Sequence, residues 1–155
     1  MTETIIDTLG IYAGMLVIGV VSGLVPVIPA EVVLAAVVVI AGNFWLAVAV
    51  ALLAAGGQMI AKALLYQAAL RAVHRSGEPK PGSKLARAQK WVERWKDKPL
   101  ALTFVSGAIG IPPLLLFAPL AGVLGVRFRA FMALGMAGRS VRFVAVALIA
   151  LYATH

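Results

Sequence analysis

The chain has 155 residues, of which 62% are apolar and 13% are charged, and its formal net charge is +8. An ordinary soluble domain is about half apolar and about a quarter charged. Asp7 and Glu31 bracket 23 uncharged residues, Glu31 and Lys62 bracket 30, and Lys98 and Arg127 bracket 28. Because a helix needs only about 20 apolar residues to cross the hydrocarbon core of a bilayer, the composition predicts an integral membrane protein rather than a soluble domain.

The absence of several residue types excludes whole classes of site. With no cysteine, the chain has no disulfide, no thiolate metal site and no cysteine nucleophile. The two histidines, His74 and His155, cannot build a histidine-based triad or a histidine metal cluster, and neither a P-loop nor a GxGxxG motif occurs. We therefore expect no enzyme activity, no cofactor and no metal. The acidic start, with Glu3 and Asp7, argues against a removable signal peptide.

The first apolar half, residues 8–72, begins with a segment that prolines interrupt. As one helix, the segment from Leu9 to Ala41 would be about 50 Å long at about 1.5 Å per residue, whereas the core of a bilayer is about 30 Å thick. Two full crossings would need about 40 residues. Proline removes a backbone donor and clashes with the preceding turn, so we expect breaks at Pro26 and Pro29. The length favours a re-entrant hairpin, which enters the membrane, breaks and returns.

After a turn at Gly42-Asn43, an unbroken apolar run over 44–72 predicts the first spanning helix. Gln58 and Lys62 lie one turn apart on it, on the same face. Gln58 is expected to hydrogen-bond within the bundle. For Lys62, a role in a binding site and a long side chain that reaches the headgroups are both open.

The second half, residues 99–154, repeats this plan. Its first segment is expected to break at Pro112 and Pro113 and again at Pro119. After a short VRFR turn, the second spanning helix is expected from Ala130 to Thr154. No residue-level repeat relates the halves, which resemble each other only in hydropathy and in the placement of proline.

Between the halves lies a basic cytoplasmic segment, residues 73–98. Nine of the fourteen lysines and arginines lie within 71–98, against three acids, which is typical of a loop facing the cytoplasm and anionic headgroups. KLARAQKWVERWKD, residues 84–97, predicts an amphipathic helix in the membrane interface; a solvated helix packed on a partner is the alternative. Because no recognition motif accompanies the charge, we do not expect nucleic-acid binding.

Charge placement also orients the predicted segments. Since the basic segment and the Arg127–Arg129 turn both carry cytoplasmic charges, the broken segment between them must cross an even number of times, as a hairpin does. The two halves then have opposite orientations, which defines an inverted-topology repeat. The alternative makes 9–25 and 32–55 separate full spans and gives five or six crossings.

Glu31, Arg139 and Arg142 are the charged residues that the apolar segments explain least well. Glu31 opens the helix after the first break, where the helix dipole favours a carboxylate. Arg139 and Arg142 lie at i and i+3 in the middle of the last span, where each charge costs at least several kcal/mol unless it is paired or hydrated. With Lys62 they leave a surplus of +2 over Glu31. An anionic substrate would balance it, and the planar arginine fork suits phosphate; a purely structural pairing with Glu31 is the alternative.

PVIPAEVVL, the IPP break and PLAGVLGVRFRAFMALGMAGRSVRF resemble motifs of the DedA superfamily, also called VTT or SNARE-associated Golgi proteins. The similarity covers most of the chain and is greatest to the small YqaA-like bacterial members. The resemblance implies two facing re-entrant hairpins in an inverted repeat, in the bacterial cytoplasmic membrane. It also implies that phospholipid or polyprenyl phosphate moves between leaflets. Glu31 would be the hairpin acid, and Arg139 and Arg142 the basic pair of the last helix.

The chain also departs from that family. Ala30 replaces a glycine of the first motif, Ile109 and Leu115 stand where larger members carry arginine, and Gln58 takes the place of an acid. In some members of the family, transport is coupled to the proton gradient, and these departures put such coupling in doubt for this chain. A lipid transporter, flippase or scramblase is the leading hypothesis, and a homo-oligomer stays open. A non-catalytic membrane scaffold or partner subunit is the alternative, and ion conduction ranks last.

Overall fold

A computed structural model describes residues 2–25, 27–76, 80–83, 86–87, 90, 99–111, 113–123 and 125–153. Six helices and no strand occur in these ranges, so the all-α class is confirmed. The helices are α1 (Thr2–Leu24), α2 (Ala30–Ala41), α3 (Phe44–Ser76), α4 (Pro99–Ala108), α5 (Leu114–Val123) and α6 (Phe128–Ala153). Most of the predicted interfacial helix over 84–97 lies outside the described residues, as do Pro26 and Pro112.

Two of the helices are long and apolar enough to cross a membrane, judged by length and composition. They are α3, over Phe44–Ala72, and α6, over Phe128–Ala153. Both correspond to the predicted spanning helices, although α3 continues to Ser76 and α6 begins two residues before Ala130. α2, α4 and α5 have 12, 10 and 10 residues, which at about 1.5 Å per residue leaves each too short for a core of about 30 Å.

Both predicted proline breaks interrupt the helices. α1 ends at Leu24 and α2 starts directly after Pro29, whose backbone is extended (φ −79°, ψ 95°). The second break separates α4 from α5, and Pro113 directly precedes α5. Within it, Gly110 has φ +85°, a left-handed conformation that glycine adopts at little cost.

The expected further break at Pro119 is wrong, because α5 continues through this residue. A proline inside a helix removes one hydrogen-bond donor and crowds the preceding turn. Here its neighbours on α5 are buried, namely Phe117, Ala118, Leu120, Ala121 and Gly122. The packing of these side chains offsets the missing hydrogen bond.

The turn at Gly42-Asn43 is confirmed. Gly42 has φ +59° and its N–H donates to the carbonyl of Val38, which ends α2. The Asn43 side-chain oxygen accepts hydrogen bonds from the N–H groups of Trp45 and Leu46 at 2.9 and 3.1 Å, which caps α3. A single helix through 32–55, as the alternative layout requires, is therefore not formed.

The chain divides into two compact units, residues 1–61 with 139–155 and residues 62–138. The boundaries fall inside α3 and α6, so each of these helices contributes to both units. In the first unit, α1 and α3 approach closely through glycine. A Cβ on Gly57 would lie 2.3 Å from the carbonyl oxygen of Leu16, and one on Gly19 would lie 2.4 Å from that of Ala54. Small residues at such positions let helix backbones come into contact, as in GxxxG pairs, and Gly19 and Gly23 have this spacing.

In the second unit, glycines again lie where helices cross. A Cβ on Gly138 of α6 would lie 2.5 Å from the carbonyl oxygen of Phe104 on α4. One on Gly122 of α5 would lie 2.6 Å from the carbonyl oxygen of Tyr66 on α3. The Tyr66 ring stacks on that of Phe131, with 5.3 Å between the ring centroids.

The two units share one pattern of contacts. In each unit, the helix before the proline break lies against the next long helix in the sequence: α1 on α3, and α4 on α6. The helix after the break contacts the other long helix. α5 meets α3 at Gly122, and α2 meets α6 through an ion pair between Glu31 and Arg142.

Candidate functional site

The candidate site lies in the first unit, where α2 begins. Glu31 is the second residue of α2, and its side chain is 25% exposed. The helix has no side-chain cap. A carboxylate in the first turn interacts favourably with the positive end of the helix dipole.

Arg142 on α6 pairs with this carboxylate. Its Nη2 atom lies 3.1 Å from Oε1 of Glu31, which makes an ion pair at ordinary hydrogen-bond distance. The Arg142 side chain is 31% exposed. The pair is thus partly buried, and part of each side chain stays accessible from outside the protein.

Arg139 lies one turn before Arg142 on α6 and is much more deeply buried, with 9% of the residue exposed. Its charge is repelled by Arg142 and attracted by Glu31, so the three ionic groups form one electrostatic cluster. The Nε atom of Arg139 is buried and has no hydrogen-bond partner. Leaving a buried polar donor unsatisfied costs about 1–3 kcal/mol, and more for a charged group.

The cluster holds two cations and one anion, a surplus of +1. The sequence predicts a surplus of +2 because it counts Lys62 with these residues. Lys62 is buried, at 3% exposure, and falls in the second unit, so its contribution to the surplus stays a prediction. The structure thus brings Glu31 close to Arg139 and Arg142, which lie far from it in the sequence.

Gln58 lies in the interface between α1 and α3. Its Nε2 group donates to the hydroxyl of Ser22 at 2.9 Å, and that hydroxyl donates to the carbonyl of Gly19 at 3.1 Å. Gln58 is 6% exposed, and its Oε1 atom has no partner. The expectation that Gln58 hydrogen-bonds within the bundle is confirmed for its amide nitrogen.

Further buried polar residues carry no clear signal in the sequence. Ser22 is marked only by its position between two packing glycines, one turn before the first break. Thr103 and Ser106, one turn apart on α4, are both completely buried. Across the described ranges, no three His, Cys, Asp or Glu side chains lie together as a metal site would need.

This arrangement suits binding of an anion. Arginine presents planar, fixed donors that match two oxygens of a phosphate, and the pair at i and i+3 offers two such groups from one helix face. Arg139 has an unused donor, and Arg142 is held by a carboxylate that a stronger acceptor can displace.

Models of known protein families, curated proteins and solved structures were compared with the chain, and none matches it. The resemblance to the DedA superfamily therefore stays a prediction.

Proposed function

We propose that this chain is a multi-pass protein of the bacterial cytoplasmic membrane that moves an anionic lipid between leaflets, as a transporter, flippase or scramblase. The lipid would be a phospholipid or a polyprenyl phosphate. The observation that carries the proposal is the cluster of Glu31, Arg139 and Arg142. It places two guanidinium groups and one carboxylate on apolar helices and leaves a buried arginine donor unused.

A membrane location is supported by the large apolar side chains that the fold leaves uncovered. Ile40 on α2 is 87% exposed and Ile149 on α6 is 69% exposed. Only 33% of the most apolar stretch of α6 is buried inside the protein. Soluble proteins rarely leave large apolar patches exposed, whereas lipid tails would cover these side chains.

Re-entrant hairpins in an inverted repeat are supported by helix length and by the shared contact pattern. The helices α2, α4 and α5 are too short to cross the bilayer alone. The proline breaks beside them expose backbone groups, which membranes tolerate only beside protein or a wet cavity. In each unit, the helix before the break packs on the next long helix, and the helix after the break packs on the other long helix. In transporters built from inverted repeats, interrupted helices hold the substrate near the middle of the membrane.

In the proposed cycle, the lipid phosphate first competes with Glu31 for the partly exposed Arg142 and then reaches the buried donor of Arg139. The carboxylate holds Arg142 while no lipid is bound, because an unpaired arginine at the centre of a bilayer costs about 2.5–3.5 kcal/mol or more. The acyl or prenyl tail stays among the exposed apolar side chains throughout. Release returns Arg142 to Glu31, so the headgroup is held transiently.

Lipid exchange in reconstituted vesicles tests this function. We expect the purified protein to accelerate leaflet exchange of labelled phosphatidylglycerol or polyprenyl phosphate, followed by quenching of the outer leaflet. Arg139→Gln and Arg142→Gln should each slow it at least about tenfold, equivalent to about 1.4 kcal/mol. Arg87→Gln, which removes the same charge at an exposed position between the halves, serves as the matched control and should leave the rate unchanged.

Two results would contradict the proposal. One is the absence of accelerated exchange for both lipids, and the other is exchange that both arginine variants leave intact. A stable partner that co-purifies with a chain inactive in exchange would favour the scaffold hypothesis instead.

A further inference from the structure

A second group of positively charged residues belongs to the other unit. Arg71 and Arg75 are exposed near the end of α3, and Arg127 and Arg129 are exposed around the start of α6. We call these four residues the basic rim. The acids of this part of the chain, Glu78, Glu93 and Asp97, lie outside the described residues.

Tyr66 ties the two halves of the basic rim together. Its hydroxyl donates to the carbonyl of Val126, and its ring lies 5.3 Å from that of Phe128. Gly122 also lies directly against the backbone of Tyr66 and Leu70. Because Arg71 follows Leu70 and Arg127 follows Val126, these contacts hold the two arginine pairs at the same end of the unit.

The surroundings of the basic rim indicate what it meets. Both long apolar helices reach this end, since α3 finishes here and α6 starts here. Phe128, 37% exposed, stands between Arg127 and Arg129. Cationic side chains beside exposed aromatic and aliphatic ones are typical of the boundary between headgroups and acyl chains. A nucleic acid or an acidic protein would leave the apolar part of this surface uncovered.

We propose that the basic rim is a binding site for the phosphate headgroups of anionic lipids in the leaflet that it faces. Each Lys or Arg near an anionic leaflet adds attraction to its surface, and arginine adds paired hydrogen bonds to phosphate. Tyr66 acts as a positioning residue, because it sets the spacing of the two arginine pairs without touching the headgroup. The inference needs the membrane location but not lipid transport.

Lipid binding in nanodiscs tests the basic rim. The protein would be placed in phosphatidylcholine discs with increasing phosphatidylglycerol, and the lipids it retains counted by native mass spectrometry. All measurements use an Arg139→Gln/Arg142→Gln background, which removes the candidate transport site. We expect Arg127→Gln/Arg129→Gln to lower retention of phosphatidylglycerol at least fivefold, and Tyr66→Phe to lower it less. Lys80→Gln, which removes an exposed charge before the predicted interfacial helix, serves as the control and should change it much less.

Four results would overturn the proposal. Retention that the rim variant leaves unchanged would remove the site, and an equal fall in the control would show that only total charge matters. Tighter binding of a duplex oligonucleotide than of phosphatidylglycerol would assign the rim to a different partner. Competition by inorganic phosphate at low concentration would instead identify a site for free phosphate. The rim variant is also tested for leaflet exchange with Arg139 and Arg142 intact. Loss of lipid retention with exchange preserved distinguishes this inference from the proposed function.

Discussion

The starts of α2 and α5 have the same backbone and opposite chemistry. The carbonyl of Pro29 accepts hydrogen bonds from the N–H groups of Val32 and Val33, three and four residues later. The carbonyl of Pro113 accepts them from Leu116 and Phe117 in the same pattern. Directly after each proline comes a completely buried residue, Ala30 in one case and Leu114 in the other.

The next position separates the two helices. In α2 it is Glu31, which is paired with Arg142, and in α5 it is Leu115. Proline placement thus sets the local backbone twice, whereas the ionic cluster depends on one residue in each of two distant segments. The difference teaches that the break is a scaffold, and that the side chain two positions beyond it determines whether a charged site forms.

The largest expected effect concerns what the two units have in common, their glycine crossings. Gly57→Ala in the first unit and Gly138→Ala in the second should each lower the free energy of unfolding by about 3 kcal/mol, since the new Cβ would overlap a backbone oxygen. Gly14→Ala is the matched control, because nothing lies within 4 Å of its added Cβ. It should be neutral or stabilising by up to about 1 kcal/mol, as alanine favours helix. Unfolding of the purified protein in mixed micelles measures all three, and a tolerated Gly57→Ala would refute the close crossing.

Moving the acid from one break to the other tests the contrast directly. Leu115→Glu should destabilise the protein by about 2 kcal/mol, because a carboxylate at membrane depth needs a cation to balance it. Leu115→Gln, of similar size and uncharged, should cost less. If the two variants are equally stable in the same unfolding assay, the start of α5 lies in water and not in the membrane.

Reversing the ion pair should separate its own contribution from that of Arg139. Glu31→Lys and Arg142→Glu should each destabilise the protein, while the double variant should recover about 1 kcal/mol of the summed loss. The recovery measures the coupling between the two side chains. A strictly additive double variant would mean that the 3.1 Å contact contributes nothing to stability.

The smallest effect is expected at the buried amide in the first unit. Ser22→Ala should cost about 1 kcal/mol, because it leaves Gln58 with neither polar group paired. Gln58→Leu should cost less, since it removes one hydrogen bond together with an unsatisfied oxygen. The reverse order would show that Gln58 Oε1 has a partner of its own, and unfolding of the two variants side by side decides between these outcomes.

Local rules were enough to predict much of the fold. Pro29 and Pro113 each lie directly before the start of a helix, where the missing proline N–H is not needed. Gly42-Asn43 ends one helix and caps the next because glycine adopts positive φ and asparagine accepts backbone N–H groups. The lengths of α3 and α6 follow from uninterrupted apolar runs. Each of these features depends on residues within a few positions of one another.

What only the tertiary structure decided depends on burial and on partners far away in sequence. Pro119 stays inside α5 because its neighbours are packed, and the propensity rule alone predicts a break there. The sequence marks Glu31, Arg139 and Arg142 as costly charges, but their meeting and the Tyr66 contact with Val126 depend on how helices pack. Hydrophobic pattern sets which segments are helical and apolar, whereas the pairing of ionic groups is a property of three-dimensional contacts that no short window of sequence contains.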